Sequence, residues 1–119
     1  MIADLVPMAF VASVPRSVEF YGKLGFVVKS KVEHLGQLNW VWLESGEADL
    51  MLSRASDPVD PKAQAVLFYT YTIDVAETQK ELRARGVKVG EMNHPFYMPK
   101  GEVRVEDPDG YVILIGQRD

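Results

Sequence analysis

Apolar and polar positions along this chain fall into a pattern that occurs twice. Leu5 to Ala12 is mostly apolar with Pro7 near its start, which predicts a strand whose first residues lie at an edge. Ser13 suits a helix cap and Pro15 a first helical turn, and Val14, Val18 and Tyr21 share one face before Gly25 stops the helix. Phe26 to Val28 opens a second strand, and the polar run from Lys29 to Gln37 is read as its exposed end and a turn. Asn39 to Leu43 is a third strand, and Ser45-Gly46-Glu47 turns it into a fourth, Ala48 to Leu52. Arg54 to Gln64, rich in Asp, Pro, Ala and Ser, is a connector.

The pattern then restarts. Val66 to Ile73 is a strand, Asp74 with Glu77 forms a capping box, and a helix carrying Val75, Thr78 and Leu82 ends at Gly86. An offset of 61 residues superimposes Ser13 on Asp74, Gly25 on Gly86 and Val28 on Val89. It drifts to 64 where Gly46 meets Gly110, which places an insertion in the second copy, in the loop Asn93 to Lys100. Glu102 to Glu106 alternates charged and apolar residues, Asp107-Pro108-Asp109-Gly110 reverses the chain, and an apolar run from Tyr111 to Ile115 closes the hairpin. The fold class is therefore α+β, two tandem βαβββ modules at about 1–54 and 64–119 within one domain, 1–119. A four-stranded sheet with one helix keeps its other face free, and two such faces curving together enclose a cup-shaped cleft.

Composition narrows the function. With 119 residues, 47% hydrophobic and 25% charged, the chain reads as one globular domain. A net charge of -4 supplies no basic surface for nucleic acid or an acidic membrane. No run is long enough for a membrane span and no secretion signal is evident, so the expectation is a cytoplasmic protein. The absence of cysteine excludes disulfides, thiolate metal sites and cysteine nucleophiles.

Ser17-Val18-Glu19-Phe20-Tyr21 followed by Leu24-Gly25-Phe26, then Tyr71-Thr72-Ile73-Asp74-Val75 with Leu82 and Gly86, then Glu102 with Asp107-Pro108-Asp109-Gly110-Tyr111 and Gly116-Gln117, stand in order along essentially the whole chain. This sequence of motifs resembles the glyoxalase, bleomycin-resistance and extradiol-dioxygenase superfamily, also called vicinal oxygen chelate proteins. The resemblance implies a cleft closed by modules from one or two chains, hence a homodimer, with the Arg54 to Gln64 connector allowing modules to exchange between subunits. It also implies, for the metal enzymes of the family, a divalent ion held by His, Gln or Glu from the first and last strand of each module. Aligned on the motifs, those positions fall at Val6 or Pro7, near Met51, at Phe68 or Leu67, and at Leu114, none of which ligates a hard cation. His34 and His94, the only histidines, lie in polar, loop-like stretches. No metal and no cofactor are therefore expected, as in the bleomycin-resistance branch.

Alternation places Val103 and Val105 toward the helix, so that Glu102, Arg104 and Glu106 face the cleft or solvent. By the same rule Val41 and Leu43 face the helix while Trp40 and Trp42 face away from it, onto a ligand or a second subunit. Phe68 is assigned to the cleft with Thr70 and Thr72, and Tyr69, Tyr71 and Ile73 to the opposite face. Tyr97 and Met98, in the loop Asn93 to Pro99, suit either a lid over an apolar ligand or a loop packed on itself. The ligand-binding set expected is Trp40, Trp42, Phe68, Arg104, Glu102, Tyr97, Met98 and Leu114. The leading function is metal-free binding of a small aromatic or amphipathic molecule, such as sequestration of an antibiotic. The alternatives are a lyase, isomerase or dioxygenase-type enzyme using Glu102 as general base or a displaced metal site, and a regulatory module that buries its Trp face on a protein partner.

Overall fold

Both helix starts follow from their capping side chains. In the computed structural model, which describes residues 1–119, Ser13 Oγ accepts from the Arg16 N–H at 3.3 Å and opens α1 (Val14–Lys23), with Pro15 in its first turn. Asp74 Oδ1 accepts from the Glu77 N–H at 3.0 Å and opens α2 (Val75–Ala84). Val14, Ser17 and Tyr21 of α1 are buried, as are Val75 and Leu82 of α2.

The chain forms two compact units, Met1–Val59 and Asp60–Asp119, each a sheet with one helix. In the first unit the strands are β1 (Met8–Val11), β2 (Val27–His34), β3 (Gln37–Ser45) and β4 (Ala48–Arg54), arranged β1-β4-β3-β2 with β1 parallel to β4 and the other pairs antiparallel. Ala9, Val11, Val41, Leu43, Leu50 and Leu52 are buried and form the core with α1. β1 begins at Met8, three residues later than the apolar run: Pro7 has no N–H to give, and only its carbonyl joins the ladder edge, accepting from the Met51 N–H at 2.8 Å. The polar run after Val28 is strand, not turn. All eight residues of β2 are exposed, because this is an edge strand held by its ladder to β3 instead of by burial.

In the second unit the strands are β5 (Leu67–Thr72), β6 (Glu102–Glu106) and β7 (Val112–Gln117), with order β5-β7-β6, β5 parallel and β6 antiparallel to the central β7. The module order is kept with one strand missing, since the segment matching β2 forms no ladder. Val87 and Val89 are buried, and the backbone groups that a strand would pair are taken otherwise: Arg83 Nη2 donates to the carbonyls of Val89 and Gly90, and Gln79 Nε2 to that of Gly90. Only the Gly90 N–H to Arg104 carbonyl bond and a single bridge between Asn93 and Glu102 tie this stretch to β6.

The β6–β7 turn is built by Asp107, whose Oδ1 accepts from the N–H groups of Asp109 (2.9 Å) and Tyr111 (2.8 Å). Gly110, at φ +87°, completes it, and the short helical turn Pro61–Ala63 lies directly on its Cα. Gln64 Nε2 donates to the Asp109 carbonyl at 3.0 Å, so the end of the connector is anchored within this unit.

Two stability measurements check this account. A Cβ at Gly110 would sit 2.2 Å from the Pro61 carbonyl oxygen, so Gly110→Ala is expected to lower the urea unfolding free energy by about 3 kcal/mol through strain and backbone clash; an unchanged midpoint would mean that the Pro61 turn does not lie there. Leu52→Ala is expected to cost about 3 kcal/mol and Met51→Ala about 1 kcal/mol, since adjacent residues of β4 point to opposite faces and only Leu52 is fully buried. Equal losses would contradict the face assignment.

Candidate functional site

One helix covers one face of a sheet, and the register shows what stands on the other. In the first unit the open face carries Met8 and Phe10 from β1, Met51 and Ser53 from β4, Trp40 and Trp42 from β3, and Ser30 and Val32 from β2, as cross-strand partners. Met8, Phe10 and Val32 are about half exposed, and Trp40, Trp42 and Met51 are partly so. The expected placement of both tryptophans away from the helix is what the register gives. Trp42 is held in place: its Nε1–H donates to Asp49 Oδ1 at 2.8 Å, and Lys29 Nζ lies 4.7 Å from its ring centroid while also 3.8 Å from Glu44.

In the second unit the helix face holds Val103, Val105, Ile113 and Ile115, all buried. Register places Phe68 beside Ile113 and Thr70 beside Ile115. Phe68 therefore lies on the helix face, stacked on Tyr111 with centroids 5.7 Å apart, and the expected assignment of this residue to the open face is corrected. Polarity misleads at β5. The inward threonines satisfy their hydroxyls internally, Thr70 donating to the Leu114 carbonyl at 2.9 Å and Thr72 pairing with Thr78 of α2 at 2.7 Å. The residues turned outward are Tyr69 and Tyr71.

The open face of this unit is thus two rows: Tyr69, Leu114 and Arg104, then Tyr71, Gly116 and Glu102. Gly116 sits in the central strand, and its lack of a side chain is essential. A Cβ there would lie 3.1 Å from the Tyr69 hydroxyl and 2.8 Å from Met98 Cε. Across this gap the Tyr69 hydroxyl, from β5, donates to Glu102 Oε2 on β6. The loop after Gly90 folds over the same place: the Tyr97 hydroxyl donates to Glu102 Oε1 at 2.9 Å, and Met98 lies on Gly116. Glu102 is consequently 6% exposed, although it stands on the face away from the helix.

The electrostatics follow from these contacts. Burial first, and then the hydrogen bond to Glu102, push the Tyr69 phenol far above its ordinary pKa. For Tyr97 the bond to Glu102 is the main cause and raises it too. Both remain hydrogen-bond donors at neutral pH. Arg104 does not join this cluster. Its Nη1 is 3.6 Å from Glu106 Oε2, both side chains being about half exposed, a pairing of little energetic weight.

Of the residues expected at a site, Glu102, Tyr97, Met98 and Leu114 meet on this face, Arg104 stands at its margin, and Trp40 and Trp42 belong to the open face of the first unit. Met51 stands where the fourth-strand position is expected, and Met8, Phe10, Tyr69, Tyr71 and Gly116 join these faces without being expected there. The 61-residue offset superimposes Met8 on Tyr69 and Phe10 on Tyr71, and so relates the first strands of the two open faces.

Cross-strand from Met51 is Met8, and from Leu114 is Tyr69. Val6 and Pro7, expected at the first-strand position, precede β1, and Phe68, expected at the fifth-strand position, faces the helix. Neither the thioethers of Met8 and Met51 on the first unit nor the phenol of Tyr69 and the alkyl chain of Leu114 on the second is a donor pair of the imidazole and carboxylate type. His34 ends the exposed strand β2, His94 Nδ1 lies 3.0 Å from the Pro99 carbonyl, and nowhere do three or more His, Asp or Glu side chains gather into a metal-binding group.

Comparison with known proteins completes the picture. No curated protein matches the sequence at a significant level. Among solved structures the chain is similar to a bleomycin-binding protein complexed with bleomycin (18% identity, TM-score 0.78, covering 99% of this chain and 100% of the other). It is similar to a bleomycin resistance determinant encoded on the transposon Tn5 (17% identity, TM-score 0.82, 99% of each chain). It is also similar to TnmS3, an antibiotic binding protein from Streptomyces sp. CB03234 (22% identity, TM-score 0.71, 100% of this chain and 99% of the other). At these identities the likeness is one of fold. The model of the Glyoxalase/Bleomycin resistance protein/Dioxygenase superfamily, however, matches residues 5–115, and the chain belongs to that superfamily.

Proposed function

We propose that this protein binds, without metal and without catalysis, a small aromatic or amphipathic molecule, and that it sequesters an antibiotic or a comparable metabolite as a cytoplasmic homodimer. The observation that carries the reading is the apolar open face of the first unit, where Trp40, Trp42, Phe10, Met8 and Met51 lie together, uncovered by any helix. Flat aromatic side chains already ordered by the sheet stack on a planar ligand at little entropic cost. The fold it shares with bleomycin-binding and antibiotic-binding proteins supports the same reading. The open faces hold Met8, Met51, Tyr69 and Leu114, and the positions expected for a family donor set hold no His, Gln or Glu, which supports binding rather than Lewis-acid chemistry.

A second reading has one observation in its favour: Glu102 is a carboxylate buried among aromatic rings, a setting used for general bases. Both of its oxygens, however, already accept a phenol hydrogen bond, so lone pairs that a base would turn toward substrate are engaged.

Because Trp40 and Trp42 are the only tryptophans, their fluorescence reports on this face. Titration with bleomycin and a panel of aromatic antibiotics in the presence of EDTA is expected to give saturable quenching that added Mn or Zn does not alter. Trp40→Ala is expected to weaken the quenching ligand by about tenfold, the worth of one good aromatic stack. A panel that quenches nothing would refute the proposal, and binding that requires the metal would turn it toward the enzyme.

A further inference from the structure

Glu102 is a buried carboxylate with no cationic partner. Its side chain is satisfied by the hydroxyls of Tyr69 and Tyr97 alone, while Arg104, two residues along the same strand face, turns to Glu106. A carboxylate enclosed in this way without a counter-charge is costly relative to one that meets a cation. We propose, building on the ligand-binding reading above, that the ligand carries a basic group, an ammonium or amidinium, which takes Glu102 in place of the Tyr97 hydroxyl.

The two phenols are not equivalent, and the difference identifies which one yields. Tyr69 is a residue of β5, locked by its ladder to β7 and laid across Gly116. Tyr97 belongs to a loop with no ladder of its own, tied at its base by the Asn93–Glu102 bridge, closed by the Met98 N–H to Pro95 carbonyl and Gly101 N–H to Met98 carbonyl bonds, and touching the sheet through Met98 on Gly116. It is 56% exposed, and its neighbour Phe96 is almost wholly so. Lifting Tyr97 breaks one phenol–carboxylate bond and uncovers Glu102 Oε1. A cationic donor there adds to the hydrogen bond an attraction of opposite charges that the neutral phenol does not supply. The rings of Tyr69 and Tyr71, 5.3 Å apart and tilted by 45°, stand on the same face and offer π surface to a cation held at the carboxylate. The Tyr69 phenol, raised by burial and by its bond to Glu102, stays protonated at neutral pH and brings no competing negative charge.

Three probes of equal size separate the contributions: naphthylmethylamine, naphthylmethanol and naphthoate, each titrated calorimetrically into the intact protein at pH 7. The amine is expected to bind at least about tenfold more tightly than the alcohol, with the carboxylate weakest. Tyr97→Phe, which removes the competing hydroxyl, is expected to tighten the amine several-fold and the alcohol by less, and Glu102→Gln, checked for folding by its thermal melt, to erase the gap between them. Equal binding of amine and alcohol by the native protein, or a gap that survives Glu102→Gln, would overturn the basic-group assignment while leaving the ligand-binding reading intact. Failure of all three probes to bind at millimolar concentration would overturn both. Should Glu102→Gln not fold, the Tyr97→Phe comparison decides alone: no gain for the amine refutes the displacement.

Discussion

A helix of ten residues can cover only one face of a sheet, and that geometric limit governs both halves of this chain. On the covered faces the side chains are those any core demands, Val, Leu and Ile in close contact with α1 or α2. The uncovered faces are different. They hold tryptophan, tyrosine, methionine and a single buried carboxylate, residue types that a solvated β-surface does not need. Whatever the chain does with small molecules is written on the faces that folding leaves over.

Much of this could be read in the residues. Ser13 and Asp74 announce their helices, Asp107-Pro108-Asp109-Gly110 announces its hairpin, and the 61-residue offset announces the duplication, because each rests on local backbone chemistry. The alternation in β3 and β6 was equally legible, since Val41, Leu43, Val103 and Val105 contrast with their neighbours. β5 was not. Its two faces are Phe-Thr-Thr and Leu-Tyr-Tyr, and only the parallel register with β7 shows that the threonines turn inward, where a backbone carbonyl and Thr78 satisfy their hydroxyls. The missing second strand of the second module was also hidden, since the carbonyls of Val89 and Gly90 are taken by Gln79 and Arg83, two side chains reaching from the helix.

The Tyr69–Glu102 bond spans three strands, and no sequence spacing hints at it. It exists because Gly116 interrupts the row of side chains on β7 and lets a phenol ring lie flat against the sheet. The same gap admits Met98, so one missing side chain brings a strand, its second neighbour and a loop to a common point. The loop carrying Tyr97 and the phenol of Tyr69 thus enclose Glu102 together.

The edge strand β2 carries a different consequence. It exposes eight residues and pairs on one side only, leaving backbone donors and acceptors open along its other side. Such an edge invites a strand from a neighbouring molecule. Here the register shifts between Val28 and Ser30 and again between Val32 and Glu33, and Lys29, Lys31 and Glu33 interrupt the valines. Irregular spacing and charge together make this margin a poor template for an incoming strand. The polar character that makes the segment look like a loop therefore also protects the protein against sheet-to-sheet aggregation.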